Sequence, residues 1–452
     1  VGRHGMSMSL SLTVSCFAAM SVQIVSCDLL TEAATAERIR QFPEHGPAMM
    51  AYVSGGIMLG DILAAATIGS VLEKFGPRAP CLLCVVPSAL MLVPAFTNCL
   101  GEVPLSSETL RKSRSSFFRQ YEVLILVLTM GLASLSLACL GIADLFQLIE
   151  MEEALKLKVV ICVAFIVIAA FTVLLNPVIG CMNAFFFLQS TSTISLEGGT
   201  FYFFTDDTSC FPLGPHFSVW FYTTGLGLAA AGCGLAAVWI YGQCMEHWRY
   251  RNIFLFCNFS WCVVSAASVL VFTRRNLQLG IPDYAFVLGG TVLQNVFERW
   301  TYLPGGVLLS QMCPRGMEAT MFALLAGCQN LGRGVASYFG AFMLLYLDVT
   351  PDGTATDEKA FENLWCAAVI QALAPLVTLW MVPAMIPDAA QTDKILEDSE
   401  DGSSATADSP WSQLCAFMAS RRKEFTSSQT AGVSLYDVRG STGMNDDYGS
   451  MT

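Results

Sequence analysis

Long apolar runs recur from one end of this sequence nearly to the other, and they leave the chain little choice of fold. Residues 6–27 contain no Asp, Glu, Lys or Arg. A helix rises about 1.5 Å per residue, so some 20 apolar residues cross the ~30 Å hydrocarbon layer of a bilayer. Comparable runs lie near 47–72, 78–98, 121–148, 155–175, 176–204, 217–241, 252–273, 283–310, 317–346 and 362–387, each with at most a few charges. A helix of a soluble protein needs a charged face toward water, and these segments have no such face. Charged residues make up 13% of the chain, against about 25% in a soluble domain, and mean hydropathy is +0.55. The expected fold is therefore all-α, a polytopic transmembrane helical bundle of about eleven spans set in a lipid bilayer.

Several function classes fall away. The formal net charge is −12, but residues 388–452 hold 11 Asp/Glu and 5 Lys/Arg, so that Ser-, Thr- and Gly-rich acidic tail, expected to be disordered, supplies −6 of it. No basic stripe offers a nucleic-acid surface. The 17 cysteines are scattered through apolar runs, where they act as small packing residues. Cys81 and Cys84 form a lone Cys-x-x-Cys without the second pair a zinc site needs. With 4 histidines and no nucleophile motif, an enzyme, a metal site or a cofactor is not expected.

The most distinctive stretch is 303–332. It reads as the end of one membrane helix, a tight turn at Cys313-Pro314-Arg315-Gly316, and the start of the next. Pro314 cannot donate a backbone hydrogen bond and Gly316 accepts any φ, so the chain can reverse there. Glu318 follows at a helix start, where the positive end of the helix dipole favours a carboxylate. Gly327, Gly332 and Gly334 allow a neighbouring backbone to come close. The run Cys-Pro-x-Gly-x-Glu-Ala-Thr, then Phe-Ala-Leu-Leu and then Asn330, resembles the signature of the folate–biopterin transporter family of the major facilitator superfamily.

Further residues carry the same resemblance. Asp28 and Glu32 lie four apart and are followed by Glu37-Arg38, similar to the family's acidic helix end with its Glu-Arg pair. That helix is the fourth in the family, so the resemblance implies a chain lacking about three N-terminal helices. Ser54-Gly55-Gly56 matches a family Gly-Gly. Glu197, in the Phe-rich run 176–204, matches an acid preceding a Phe-Tyr-Phe. One departure is Gln311, where the family usually has Arg.

The organisation expected from these features is a remainder of an N-terminal bundle over 1–98 and a basic cytoplasmic linker over 99–119, with Arg111, Lys112, Arg114 and Arg119. An inserted helix pair follows over 120–175, then a C-terminal six-helix bundle over 176–387 and the tail from 388. Loops holding Arg38, Arg40, the 111–119 cluster, Arg249, Arg251 and Arg315 fall on the cytoplasmic side under the positive-inside rule, whereas Arg274-Arg275 fall on the other.

An ionised group deep in a bilayer costs about 2.5–3.5 kcal/mol on insertion scales, so one there has a partner, a water-filled cavity or a task. Asp28, Glu32, Glu197, Glu298 and Arg299 are the candidates for substrate binding or proton coupling. Asp61 and Asp144 are more local. Glu37, Arg38, Cys313, Pro314, Arg315, Gly316, Glu318 and Asn330 form the family motif, read as a conformational latch. Glu197 with Phe185, Phe186, Phe187 and Tyr202 offers a pterin ring both an acceptor and a stacking surface. The resemblance implies a proton-coupled carrier of folates or pterins working by alternating access, in a plasma membrane or plastid envelope. The alternatives are a facilitator-type carrier of another organic anion or drug, and a non-transporting membrane protein.

Overall fold

The structure, a computed structural model, describes residues 10–76, 78–97, 106–146, 151–175, 177–313, 318–351 and 357–393. Among these residues there is no strand, and one isolated β-bridge joins Arg249 to Ala390. The principal helices are α1 (Leu10–Gln41), α2 (Gly46–Phe75), α3 (Tyr121–Leu145), α4 (Glu153–Leu174), α5 (Pro177–Ser192) and α6 (Glu197–Thr205). They continue as α7 (Leu226–Cys244), α8 (Tyr250–Phe272), α9 (Asp283–Gln311), α10 (Glu318–Tyr346), α11 (Leu364–Leu373) and α12 (Pro375–Met385). A π turn at Phe221–Gly225 leads into α7, and a basic helix, Ser107–Arg119, precedes α3.

Among the described residues, 7 helices are long and apolar enough to cross a membrane: Val14–Gln41, Pro43–Leu72, Tyr121–Leu145, Glu153–Leu174, Phe221–Cys244, Tyr250–Phe272 and Leu364–Met385. The protein is an integral membrane protein built as a helical bundle. α9 and α10 have the length, 29 residues each, but polar and charged residues at mid-helix lower their apolarity. Residues 78–97 differ from the single span expected over 78–98. They form three short helices, Arg78–Leu83, Val85–Leu90 and Leu92–Phe96. Pro87 and Pro94 each remove a helical N–H, and Cys84 and Met91 keep right-handed torsions, so the path is kinked rather than reversed.

Two other expectations are corrected. The first span does not end at Cys27, because α1 runs unbroken to Gln41. Asp28 and Glu32 therefore stand well inside a membrane helix rather than at its end. The run 176–204 is not one span either. It breaks between α5 and α6 because the hydroxyls of Thr191, Ser192 and Thr193 bond back to the carbonyls of Phe187, Gln189 and Ser190 at 2.8–2.9 Å. Gln371 in α11 donates to the freed Ile194 carbonyl at 2.7 Å, so the interruption is satisfied by protein. The Ser195 backbone lies directly over Gly340 of α10, where no side chain fits.

Packing divides into two clusters along the bundle. One gathers Ile39, Tyr241, Tyr250, Phe254, Leu303, Val307 and their neighbours. The other gathers Phe203, Phe204, Phe217, Val287 and Phe361 at the opposite end. Along α9, Val287 belongs to the second and Leu303 to the first, so Glu298 and Arg299 lie between them. α1 packs on α9 and α10, α2 on α7 and α9, and the α3–α4 hairpin on α10. Met50 of α2 touches Gly306 of α9, and Met58 reaches Gly234 of α7 beside the Arg299 stem.

Two loop features refine the topology. Arg274 makes a bidentate pair with Asp283 at 2.9–3.0 Å, so one of the two arginines that the positive-inside rule does not account for is neutralised. The chain after α12 stays packed on the bundle beyond 388. Gln391 is fully buried, donates to the Met245 carbonyl at 2.7 Å and accepts from the Tyr241 hydroxyl, while Tyr250 N donates to the Ala389 carbonyl at 3.0 Å. Residues 394–452 lie outside the described residues.

Candidate functional site

Three helices that pack on one another carry charges at mid-length. Asp28 stands at the middle of the apolar span Val14–Gln41, Glu298 and Arg299 at the middle of α9, and Arg333 at the middle of α10. The i, i+4 spacing puts Asp28 and Glu32 on the same face of α1, with Asp28 exposed and Glu32 half-buried. Tyr302 of α9 lies one turn from Arg299. Asp28, Glu32, Arg299 and Arg333 all lie within electrostatic reach of its hydroxyl. The Arg299 guanidinium stands 5.9 Å from the Tyr302 ring centroid, within cation–π range, and its buried Nε has no hydrogen-bond partner. Arg333 is exposed and donates to Asn330 Oδ1 at 3.0 Å.

These charges do not neutralise one another directly. Among the described residues, ion pairs join Lys156 to Asp144 and Glu153, Arg249 to Asp388, and Arg274 to Asp283. None joins the acids of α1 to Arg299 or Arg333. Two carboxylates and two guanidinium groups thus act electrostatically on one phenol, with no direct ion pair among them.

The other sequence candidates are placed elsewhere. Glu298 is exposed and follows a different face of α9 from Arg299. Glu37 accepts from Gln41 Nε2 at 3.1 Å, and Arg38 is exposed nearby. Glu197 is exposed in the first turn of α6, beside Tyr222 of the π turn, because the helix breaks before it. It does not stand in an unbroken apolar span. Phe185 and Phe186 are buried edge-on against Phe254 at 5.6–5.9 Å, in a different packing cluster from Phe203 and Tyr202. They fill the core and present no open face to a pterin. Asp144 pairs with the buried Lys156, and Asp61 is exposed on α2.

At the motif turn, Arg40 from the end of α1 donates to the Cys313 carbonyl. Burial pushes the Cys313 thiol up to about 12, with Glu318 raising and Arg40 lowering it, so both flank the turn. Pro314, Arg315 and Gly316 lie outside the described residues. Gln311 is buried at the end of α9, away from mid-helix. A cleft of about 780 Å³ opens between α2 and α7, lined by Ala48, Ala51, Gly232 and Glu246 and by none of the candidate residues. Among the described residues, no group of three or more His, Cys, Asp or Glu could hold a metal ion.

Sequence reasoning missed Arg333, Tyr302 and Lys156. Arg333 had a signal available, since it is a lone cation in the run 317–346. Tyr302 had none, because a tyrosine in an apolar helix is ordinary.

The model of the BT1 family matches residues 4–406. "Probable folate-biopterin transporter 2" of Arabidopsis thaliana is 30% identical over 44% of this chain and 38% of its own length. The "Folate-biopterin transporter" of Synechocystis sp. is 29% identical over 48% of this chain and 41% of its own. "Probable folate-biopterin transporter 9, chloroplastic" of Arabidopsis thaliana is 34% identical over 24% of this chain and 19% of its own. The chain thus spans well under half the length of these relatives, all named as transporters rather than enzymes. No solved structure matches it. By a family match that extends over nearly all of its length, the chain belongs to the BT1 family.

Proposed function

We propose that this protein is a secondary carrier of folates or pterins, coupled to protons and working by alternating access. The observation that carries the reading is the set of charges around Tyr302 that make no direct ion pair with one another. A charge kept at mid-membrane without a partner of opposite sign belongs beside a water-filled path or a polar ligand. Carriers of this general type bind near the midplane, between helices that rock against one another. α1 and α2 on one side, and α7, α9 and α10 on the other, supply such a seam. Asp28 and Glu32 are the proton-coupling pair, since two carboxylates on one helix face disfavour each other's ionised form. The relatives' names supply folate and biopterin as substrates. The chloroplastic relative keeps the plastid envelope beside the plasma membrane as its location.

The test is uptake of labelled folate and labelled biopterin by folate-requiring cells expressing this chain, at about pH 5.5 and 7.5. Uptake is expected to rise in acid, and Glu32→Gln is expected to flatten that rise. An unchanged pH profile in Glu32→Gln would remove the α1 pair from coupling. Failure to move either compound, with the protein in the membrane, would remove the substrate assignment.

A further inference from the structure

We propose that Arg333 is the specificity-determining residue of the mid-membrane site, where it binds a carboxylate of the substrate and so favours acid-bearing pterin conjugates over neutral pterins. The inference rests on the carrier reading above and adds to it the residue that selects by charge.

The argument begins with cost. A guanidinium halfway along a 29-residue helix packed against the membrane spans α1 and α4 is expensive to keep there. Arg333 is nevertheless exposed, and its hydrogen bond from Nη1 goes to a neutral acceptor, Asn330 Oδ1 at 3.0 Å. Among the described residues it makes no ion pair, although α1, which carries Asp28 and Glu32, packs directly on α10. A structural arginine would be expected to sit against one of those acids. This one is bonded instead to Asn330, one turn earlier on the same helix.

The neighbours fit the same division of labour. Gly332, beside Arg333, packs against the Phe187 carbonyl of α5, which fixes α10 at this level. Arg299 is committed to the face of Tyr302, leaving Arg333 as the more open cation. A guanidinium takes a carboxylate through two parallel hydrogen bonds. The acids of α1, within electrostatic reach of Tyr302, accept from the N–H edge of a ring. The occupant that satisfies both ends carries donors on a heterocycle at one end and a carboxylate at the other, as folate does and biopterin does not.

The experiment measures concentration-dependent uptake of folate and of biopterin by cells expressing the chain, Arg333→Ala or Arg333→Lys, with surface abundance measured for each. N-(4-aminobenzoyl)glutamate, the acid end of folate without its pterin, serves as competitor. Arg333→Ala should raise the KM for folate about tenfold to a hundredfold, the loss typical of a charge-assisted contact. It should leave biopterin within about twofold, and the competitor should inhibit the unaltered chain alone. Arg333→Lys, which keeps the charge but not the fork, should fall between. Equal loss for both substrates at equal abundance, or undiminished folate uptake in Arg333→Ala, would overturn the assignment. Folate and biopterin both failing to enter with the unaltered chain would instead overturn the carrier reading, and this proposal with it.

Discussion

Replacing Gly332 by alanine tests whether α5 and α10 pack as closely as the structure has them. A Cβ at this position would meet the Phe187 carbonyl oxygen at 2.7 Å, the Ser190 Cβ at 2.9 Å and Thr191 Oγ1 at 3.3 Å. The first is backbone inside α5, and that carbonyl also accepts from the Thr191 hydroxyl at 2.9 Å, so it has nowhere to turn. Relief requires the two helices to part by several tenths of an ångström, and overpacking of this kind costs about 1–3 kcal/mol. Alanine also gains about 0.5–1 kcal/mol over glycine inside a helix. The net expectation is a loss of about 0.5–2 kcal/mol. Gly334, two residues on, has nothing within 4 Å of its Cβ position, so Gly334→Ala keeps the gain without the clash. The two variants, purified in the same detergent, should differ by about 1–3 kcal/mol in thermal unfolding, with Gly332→Ala the weaker. Under the proposed carrier function, Gly332→Ala should lower uptake as well, because α10 also carries Arg333. Equal stability of the two variants would refute the close approach of α5 to α10.

Further outcomes follow from other contacts. Burial raises the Cys313 thiol to about 12, far above the ordinary thiol range. It therefore stays protonated through neutral and mildly alkaline pH, and maleimide should label the exposed Cys244 long before Cys313; equal labelling rates in the folded protein would contradict this. Gln391→Ala leaves the Met245 carbonyl and the Tyr241 hydroxyl without their buried partner, at about 1–3 kcal/mol locally. Protease cleavage within 386–393 should accelerate, and an unchanged rate would show that this segment is not held by Gln391. Asp144→Asn removes one of two carboxylates from the buried Lys156. Thermal stability should fall, and Lys156→Met in the same background should restore it, because an apolar side chain needs no partner there.

What the sequence made legible followed from chemistry that acts locally. Apolar runs announced membrane helices because desolvation needs no knowledge of neighbours. Asp28, Glu32 and Arg299 were visible because a charge stands out against an apolar background. The break before Glu197 was hidden, since four hydroxyl residues in a row look the same in a continuous helix as at an interruption. Only Gln371, far along the chain, reveals where the freed carbonyl goes. Phe185 and Phe186 misled for a related reason: an aromatic ring reads alike whether it faces a ligand or Phe254. Tyr302 acquires its place from three helices at once, and no local pattern carries that information.

The bond from Arg40 to the Cys313 carbonyl crosses between α1 and the turn joining α9 to α10. Any motion that opens α1 away from that turn has to break it. A hydrogen bond from a charged donor is worth about 1.5–3 kcal/mol, which corresponds to about a ten- to hundredfold preference for the closed arrangement. Under the proposed carrier function, this contact would weight the resting population toward the arrangement in which α1 stays against that turn.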